Sequence, residues 1–323
     1  MNISAWNVAA AGLLEVAVLE SYQRADTIAD QLCSTEPTKL RKNKFIGHTI
    51  IGNMAEGMNP GQRHPRAQFE ERYVETPLTK KYGLAIEIMH EAVFFDLTSG
   101  GVISRAEDVG NELALLKERQ IIDQFIGFND TLNLNQYSYR GTAYDTYQGS
   151  SPWINTQANP LNDFDDVDDS EQLFVGMTDQ EKGEPITITA KDILVMPAKY
   201  LRAKAILGFD TVQLNTQTDT VRGMGKNPLA GAGYNLIRAN ARLFNRIAAA
   251  DGLNIGAANA ADYWFHGDFK GAFAWMENWG ITTKRAAAND YQMADQDLVL
   301  AIFTNYMGTI ATKEPRKIVR NTN

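Results

Sequence analysis

The stretch DFDDVDDSE brings Asp163, Asp165, Asp166, Asp168 and Asp169 into one short run, the natural place to look for oxygen ligands to a hard divalent cation. Calcium loops set their ligands at alternate positions, turn on a glycine and close on a distant glutamate, and this run has neither the glycine nor that register. It is expected to be a solvated acidic loop. GMGKNPLAGAG, residues 223–233, has the glycine content of a phosphate cradle. A P-loop needs Ser or Thr after Gly-Lys, whereas Lys226 is followed by Asn227 and Pro228, and Pro228 also occupies the third glycine position of a dinucleotide fingerprint. A flexible loop is expected there. His48, His64, His90 and His266 are scattered, with no His-x-x-x-His pair, and His90 at a strand–helix junction reads as structural. No Gly-x-Ser-x-Gly elbow supplies a nucleophile. Cys33 is the one cysteine, which excludes an intrachain disulfide and a cysteine zinc site and fits a reducing compartment. The sequence therefore points to no catalytic residue, metal or cofactor.

The composition describes an ordinary folded chain of 323 residues, 44% hydrophobic and 22% charged, with ten prolines. A net charge of -8 argues against tight binding to a nucleic-acid backbone, which rests on Lys and Arg releasing phosphate counterions; any DNA contact is expected to be loose. The N-terminus lacks a basic n-region, and its apolar residues are interrupted by Glu15, Glu20 and Arg24, so no signal peptide is expected. No apolar run approaches the roughly 18 residues of a membrane span, and no membrane partner is expected.

Several elements organise this chain. Val8, Leu13, Val16, Leu19, Ile28 and Leu32 fall at loosely helical spacing before Pro37, which predicts a helical arm ending there. Strand-like pieces at 45–51 and 69–76 flank a Gly/Pro/Asn-rich middle, a long hairpin too poor in apolar residues for a core of its own. KKYGLAIEIM alternates, with Tyr82, Leu84, Ile86 and Ile88 on one face, and predicts a half-buried strand. Ser104 with Glu107 forms a capping-box pattern that starts a helix at about 104–127, about 35 Å long at ~1.5 Å per residue. The polar, aromatic stretch at 133–172 reads as irregular or short-stranded. EPITITAKDILVMPAKYLRAKAIL reads as a strand, a break at Pro197 and a helix over 198–207. YNLIRANARLFNRIA is ambiguous between strand and helix, and the last sixty residues read as strands. The class is α+β without regular strand–helix alternation.

This ordered series resembles the major capsid proteins of tailed bacteriophages, the Hong Kong 97 fold. The resemblance rests on the strand pattern Tyr82-x-Leu84-x-Ile86-x-Ile88 with Glu91, on the long helix VISRAEDVGNELALLKERQIIDQFIG, on DILVMPAKYLRAKAIL, and on DFKGAFAWMENWGITTKR with EPRKIVRN. It implies an N-terminal arm at 1–37 and an extended loop at 38–81 that lies on a neighbouring subunit. It further implies a peripheral domain at 82–180, completed by 261–323, and an axial domain at 185–260 that meets symmetry mates. The implied partners are copies of the same chain in hexameric and pentameric capsomers, a portal, decoration proteins and, since about 37 residues precede the loop, a separate scaffolding protein. The implied place is the virion shell, assembled in the bacterial cytoplasm. No crosslinking site carries over.

The hairpin residues Lys39, Arg41, Lys42, Lys44, Arg63, Arg66 and Arg72 are opposite in sign to the Asp163–Asp169 stretch, so the two are candidate contacts between neighbouring copies. An encapsulin-like compartment of the same fold, enclosing cargo enzymes, is a rival reading. A soluble enzyme using Glu87 and Glu91 with the acidic stretch is another; carboxylates four apart share a face on a helix but not on a strand.

Overall fold

A computed structural model describes residues 3–48, 71–89, 91, 100–126, 136–139, 142–150, 153–178, 185–209, 211–215, 222–227, 229, 231–240, 262–287 and 298–322. Along the chain run α1 (Ile3–Arg24), α2 (Ala29–Leu32), β1 (Ser34–Pro37), β2 (Lys44–His48), β3 (Glu71–Glu75), β4 (Lys80–Met89) and α3 (Gly100–Ile126). Short strands follow: β5 (Gln136–Tyr139), β6 (Thr142–Asp145), β7 (Gly149–Ser150), β8 (Trp153–Ile154) and β9 (Thr156–Ala158). Next come α4 (Asp165–Val175), β10 (Asp192–Val195), α5 (Tyr200–Gly208), β11 (Thr211–Asn215), β12 (Arg222–Lys226) and β13 (Asn235–Arg238). The chain closes with β14 (Trp264–Gly267), α6 (Phe269–Ala272), β15 (Phe273–Ala287), β16 (Leu298–Thr312), a 3-10 turn and β17 (Ile318–Thr322).

Two sheets and one long helix make the frame. The first sheet has the order β1-β15-β16-β4, and its long antiparallel pair β15–β16 carries β4 along one edge. In β4 the alternation holds: Ile86 and Ile88 are buried and Lys81, Ala85 and Glu87 are exposed, although Leu84 on the inward face stays partly open. The 27-residue α3, about 40 Å long, covers this face with Val109, Leu113, Ile121, Ile122 and Phe125. It starts at Gly100, so Ser104 lies inside it and is not its N-cap. Burial of Val102 and Ala106 carries the helix back through a glycine pair whose intrinsic cost is ~1 kcal/mol per residue.

The N-terminal helix ends at Arg24 rather than running towards Pro37; the chain makes a single turn at α2 and then extends as β1, a parallel edge strand beside β15. An edge tolerates Pro37, which has no N–H to give to the ladder. Leu14 and Val18 of α1 bury themselves on α3. Glu118 of α3, fully buried, accepts a hydrogen bond from the Ile28 amide at 3.3 Å through Oε2, while its Oε1 has no partner. Burial, with the nearby Asp26 charge adding to it, raises this carboxyl from 4.5 to about 7. A group whose native pKa is raised binds more protons folded than unfolded between those values, so its stabilising contribution is complete below about 4.5 and is lost as pH rises through about 7. Glu118→Gln is expected to flatten the fall in melting temperature between pH 5 and pH 8, read by calorimetry at constant ionic strength; an unchanged slope would remove Glu118 as its source.

The second sheet, β13-β10-β14-β17-β9, gathers strands from both sides of the expected 260/261 division. One face packs Leu194, Ile237 and Phe265 into the main core. The other packs Ile193, Val195 and Trp264 against Val167 of α4 and Ala203 and Ile206 of α5.

Two further expectations change. The acidic stretch is not a loop but the first turns of α4: Val167, Ser170 and Phe174 bury at helical spacing, and carboxylates are favoured at a helix N-terminus. The glycine-rich 223–233 segment is not simply a flexible loop. Its front half is β12 paired with β11, and the buried Asn227 donates through Nδ2 to the Ile206 and Phe209 carbonyls at 2.6 and 2.8 Å. Gly231 and Gly233 then turn the chain with φ of 88° and 79°, conformations a side chain disfavours. At its base the hairpin β2–β3 also pairs within its own chain, because β3 pairs with β5 to give the sheet β2-β3-β5-β6. The ambiguous stretch opens as β13; its residues from 241 on, the hairpin tip with His64, Arg63 and Arg66, and His90 lie outside the described residues.

Candidate assembly surfaces

The base of the hairpin is built by a bulge. Between Glu277 and Thr282 the pairing of β15 with β16 shifts register twice, and extra residues in a strand bend it and re-aim side chains. Asn278 then donates through Nδ2 to the carbonyls of Thr38 and Leu40 at 3.1 and 3.0 Å, and Trp279 donates through Nε1 to Asn305 Oδ1 at 3.1 Å. The Thr79 amide donates to the Arg41 carbonyl at 2.9 Å, which closes the two legs of the hairpin together. Lys39, Arg41, Leu40 and Leu78 are exposed around this base.

The basic hairpin residues are only partly available to a neighbour. Lys42 pairs with Glu75 on the opposite leg, and Lys44 Nζ lies 3.6 Å from the same carboxylate. Lys42, with Lys44 behind it, holds the Glu75 carboxyl below the usual carboxylate range. Arg72 sits in β3 opposite Gly47. Sequence reasoning missed Glu75 and Asn278. Glu75 lies on the far leg, and Asn278 is brought to the hairpin only by β1 pairing with β15.

On α4, Asp166 Oδ2 accepts from the Asn162 and Asp163 amides, and Asp163 Oδ1 accepts from the Asp166 amide at 3.4 Å, a reciprocal cap of the helix start. Asp168 accepts from Gln172 Nε2 at 2.8 Å. Asp165 is raised from its ordinary value by partial burial and then by the charges of Asp163, Asp169, Asp168 and Asp166. Within one chain the structure places this helix and the basic hairpin on different sheets, and no ion pair joins them among the described residues.

His266 is fully buried on β14, with Nδ1 3.3 Å from Ser170 Oγ and its ring edge-on to Phe174 and Tyr234. Burial pushes its pKa down to about 4, so it stays neutral and packs as an aromatic ring. Among the described residues no three His, Cys, Asp or Glu side chains are placed to hold a metal, and no helix is long and apolar enough to cross a membrane.

The described surface carries the base of the hairpin and several exposed large apolar side chains: Leu40, Leu78, Val175, Leu201 and Phe209. A long helix laid across a sheet of long strands, with a second, mixed sheet beside it, is the frame of the Hong Kong 97-like class. A family model described as "Phage capsid protein" matches residues 73–321, and the chain belongs to that family. Solved structures share the fold at low identity. Gordonia phage Cozz is similar at a TM-score of 0.54 and 15% identity, covering 92% of this chain and 86% of that one. Mycobacterium phage Ogopogo gives 0.53 and 14%, covering 92% of each. The capsid of cyanophage P-SCSP1u gives 0.51 and 13%, covering 93% and 88%. No curated protein sequence matches this chain.

Proposed function

We propose that this chain is the major capsid protein of a tailed bacteriophage and closes into the icosahedral head shell around the genome. The observation that carries the reading is the phage capsid family match over residues 73–321, set on a fold whose large surfaces are made for contact. A shell is held by many modest contacts whose geometry closes the lattice.

Residues 1–37 act as the arm, 38–81 as the extended loop reaching a neighbouring subunit, 82–180 with 261–323 as the peripheral domain, and 185–260 as the axial domain. The bulge at Asn278 supports the loop assignment, because Asn278 holds the first leg at Thr38 and Leu40 and the Thr79 amide ties the second leg to it at Arg41. Copies meet as hexameric and pentameric capsomers; a scaffolding protein, a portal and decoration proteins complete assembly in the host cytoplasm. The net charge of -8 leaves the packaged DNA to counterions rather than to a basic inner wall.

Negative-stain microscopy with light scattering, on the chain alone and co-expressed with its genomic neighbours, is expected to show closed polyhedral particles or capsomer-sized rings. A monomer under every condition would overturn the reading.

A further inference from the structure

α4 and α5 pack on the same face of the second sheet, around Ile193, Val195 and Trp264, and each turns its other side outward. The outward residues of α5 are Leu201, Arg202, Lys204 and Gly208, with Phe209 just beyond its end; Leu201 is 77% exposed and Phe209 61%. No carboxylate occurs between Lys199 and Phe209. The outward residues of α4 are Asp165, Asp168, Asp169 and Gln172, ending on Val175, 80% exposed; no Lys or Arg occurs between Asp163 and Thr178. Each face is therefore one sign of charge with a large apolar side chain left in water.

Two of the cations beside α5 are engaged inside the chain, which leaves Lys204 as the outward charge of this face. Lys199 Nζ is taken by the Pro160 carbonyl at 2.8 Å and Asp262 at 3.3 Å, and Arg202 by Asn162 Oδ1 at 2.6 Å. None of Asp165, Asp168 and Asp169 forms an ion pair with α5. An α5-to-α5 contact between two copies would set Lys204 against Lys204 and is disfavoured, while α5 against α4 satisfies both charge and apolar burial.

We propose that the outward face of α5, with Leu201, Lys204 and Phe209, is a docking surface for a second copy of this chain, which meets it with the outward face of its own α4. This rests on the shell reading and names one contact between copies within the shell. It gives the acidic helix a partner on the neighbouring copy other than the basic hairpin, whose Lys42 and Lys44 already face Glu75.

The test uses the full chain in three forms: Lys204→Glu; Asp168→Lys with Asp169→Lys; and all three changes together. All are surface positions, and an unchanged melting temperature checks that each subunit folds. Sedimentation velocity and light scattering follow assembly at low and high salt. Each reversal alone is expected to slow ring or shell formation about tenfold or more at low salt, with a smaller effect at high salt, and the combined variant is expected to recover most of the parental rate. If both reversals assemble as the parent does, or the combined variant does no better than the worse single one, the contact is overturned while the particles formed by the parent keep the shell reading. If only the α4 reversal slows assembly, the acidic face meets another surface, such as the hairpin, and α5 is overturned as its partner. A parent that forms no assembly removes the shell reading and this contact together.

Discussion

Phe125→Ala is expected to destabilise the subunit by about 4 kcal/mol, the typical scale for removing a buried aromatic ring and leaving a cavity. Phe125 has no exposed surface and sits where α3 crosses both sheets: its ring centroid lies 5.9 Å from that of Phe265, 5.0 Å from Phe269 and 4.6 Å from Phe273. Its carbonyl accepts from the Tyr147 hydroxyl at 2.6 Å. One side chain thus joins α3, β14, α6 and the start of β15. Truncation removes packing from all four, and a close-packed interior relaxes only partly into such a gap. Urea denaturation of the unassembled subunit reads the loss directly, and Phe125→Leu, which fills more of the gap, is expected to recover about half of it. A change under about 1 kcal/mol for Phe125→Ala would mean that the frame does not converge on this ring.

Gly110→Ala is expected to loosen the N-terminal helix from α3 and destabilise the subunit by about 2 kcal/mol. A Cβ at Gly110 would stand 2.0 Å from Ser21 Oγ, 2.4 Å from the Val18 carbonyl oxygen and 3.0 Å from the Tyr22 amide nitrogen. The first of these could rotate away; the others are backbone, so α1 itself has to move. Alanine favours a helix over glycine by ~1 kcal/mol, so a substitution that would stabilise an exposed helix is expected here to do the reverse. Limited proteolysis is expected to cut within residues 3–24 faster in the variant than in the parent, alongside a lower melting temperature. Equal cleavage and an equal melting temperature would show that the two helices do not meet as closely as described.

Alternation in β4 was legible because Tyr82, Ile86 and Ile88 face one buried layer while the residues between them face water, and a period of two in the side chains is a property of the strand alone. The long helix was legible for the same reason at a period near 3.6, since Val109, Leu113 and Phe125 mark its inner stripe. Its start was not, because the glycine pair signals a break locally and only the burial of Val102 and Ala106 against other elements outweighs that signal. The acidic run was misjudged as a loop for a related reason. Its carboxylates dominate the local composition, while the residues that make it a helix, Val167, Ser170 and Phe174, take effect only on meeting the second sheet.

By itself, the sequence determined the α+β class, the alternating strand, the long helix, the hairpin and the lack of a recognisable catalytic motif. These follow from side-chain periodicity and residue chemistry, which are local. The tertiary structure alone decided that Lys42 and Lys44 turn to Glu75, that Asn278 anchors the hairpin, that α1 seats on Gly110, and that the acidic helix and the basic face of α5 stand on one sheet. Each of those depends on bringing together residues far apart in the chain, and the free energy that does so comes from burying the shared core, which no single segment carries.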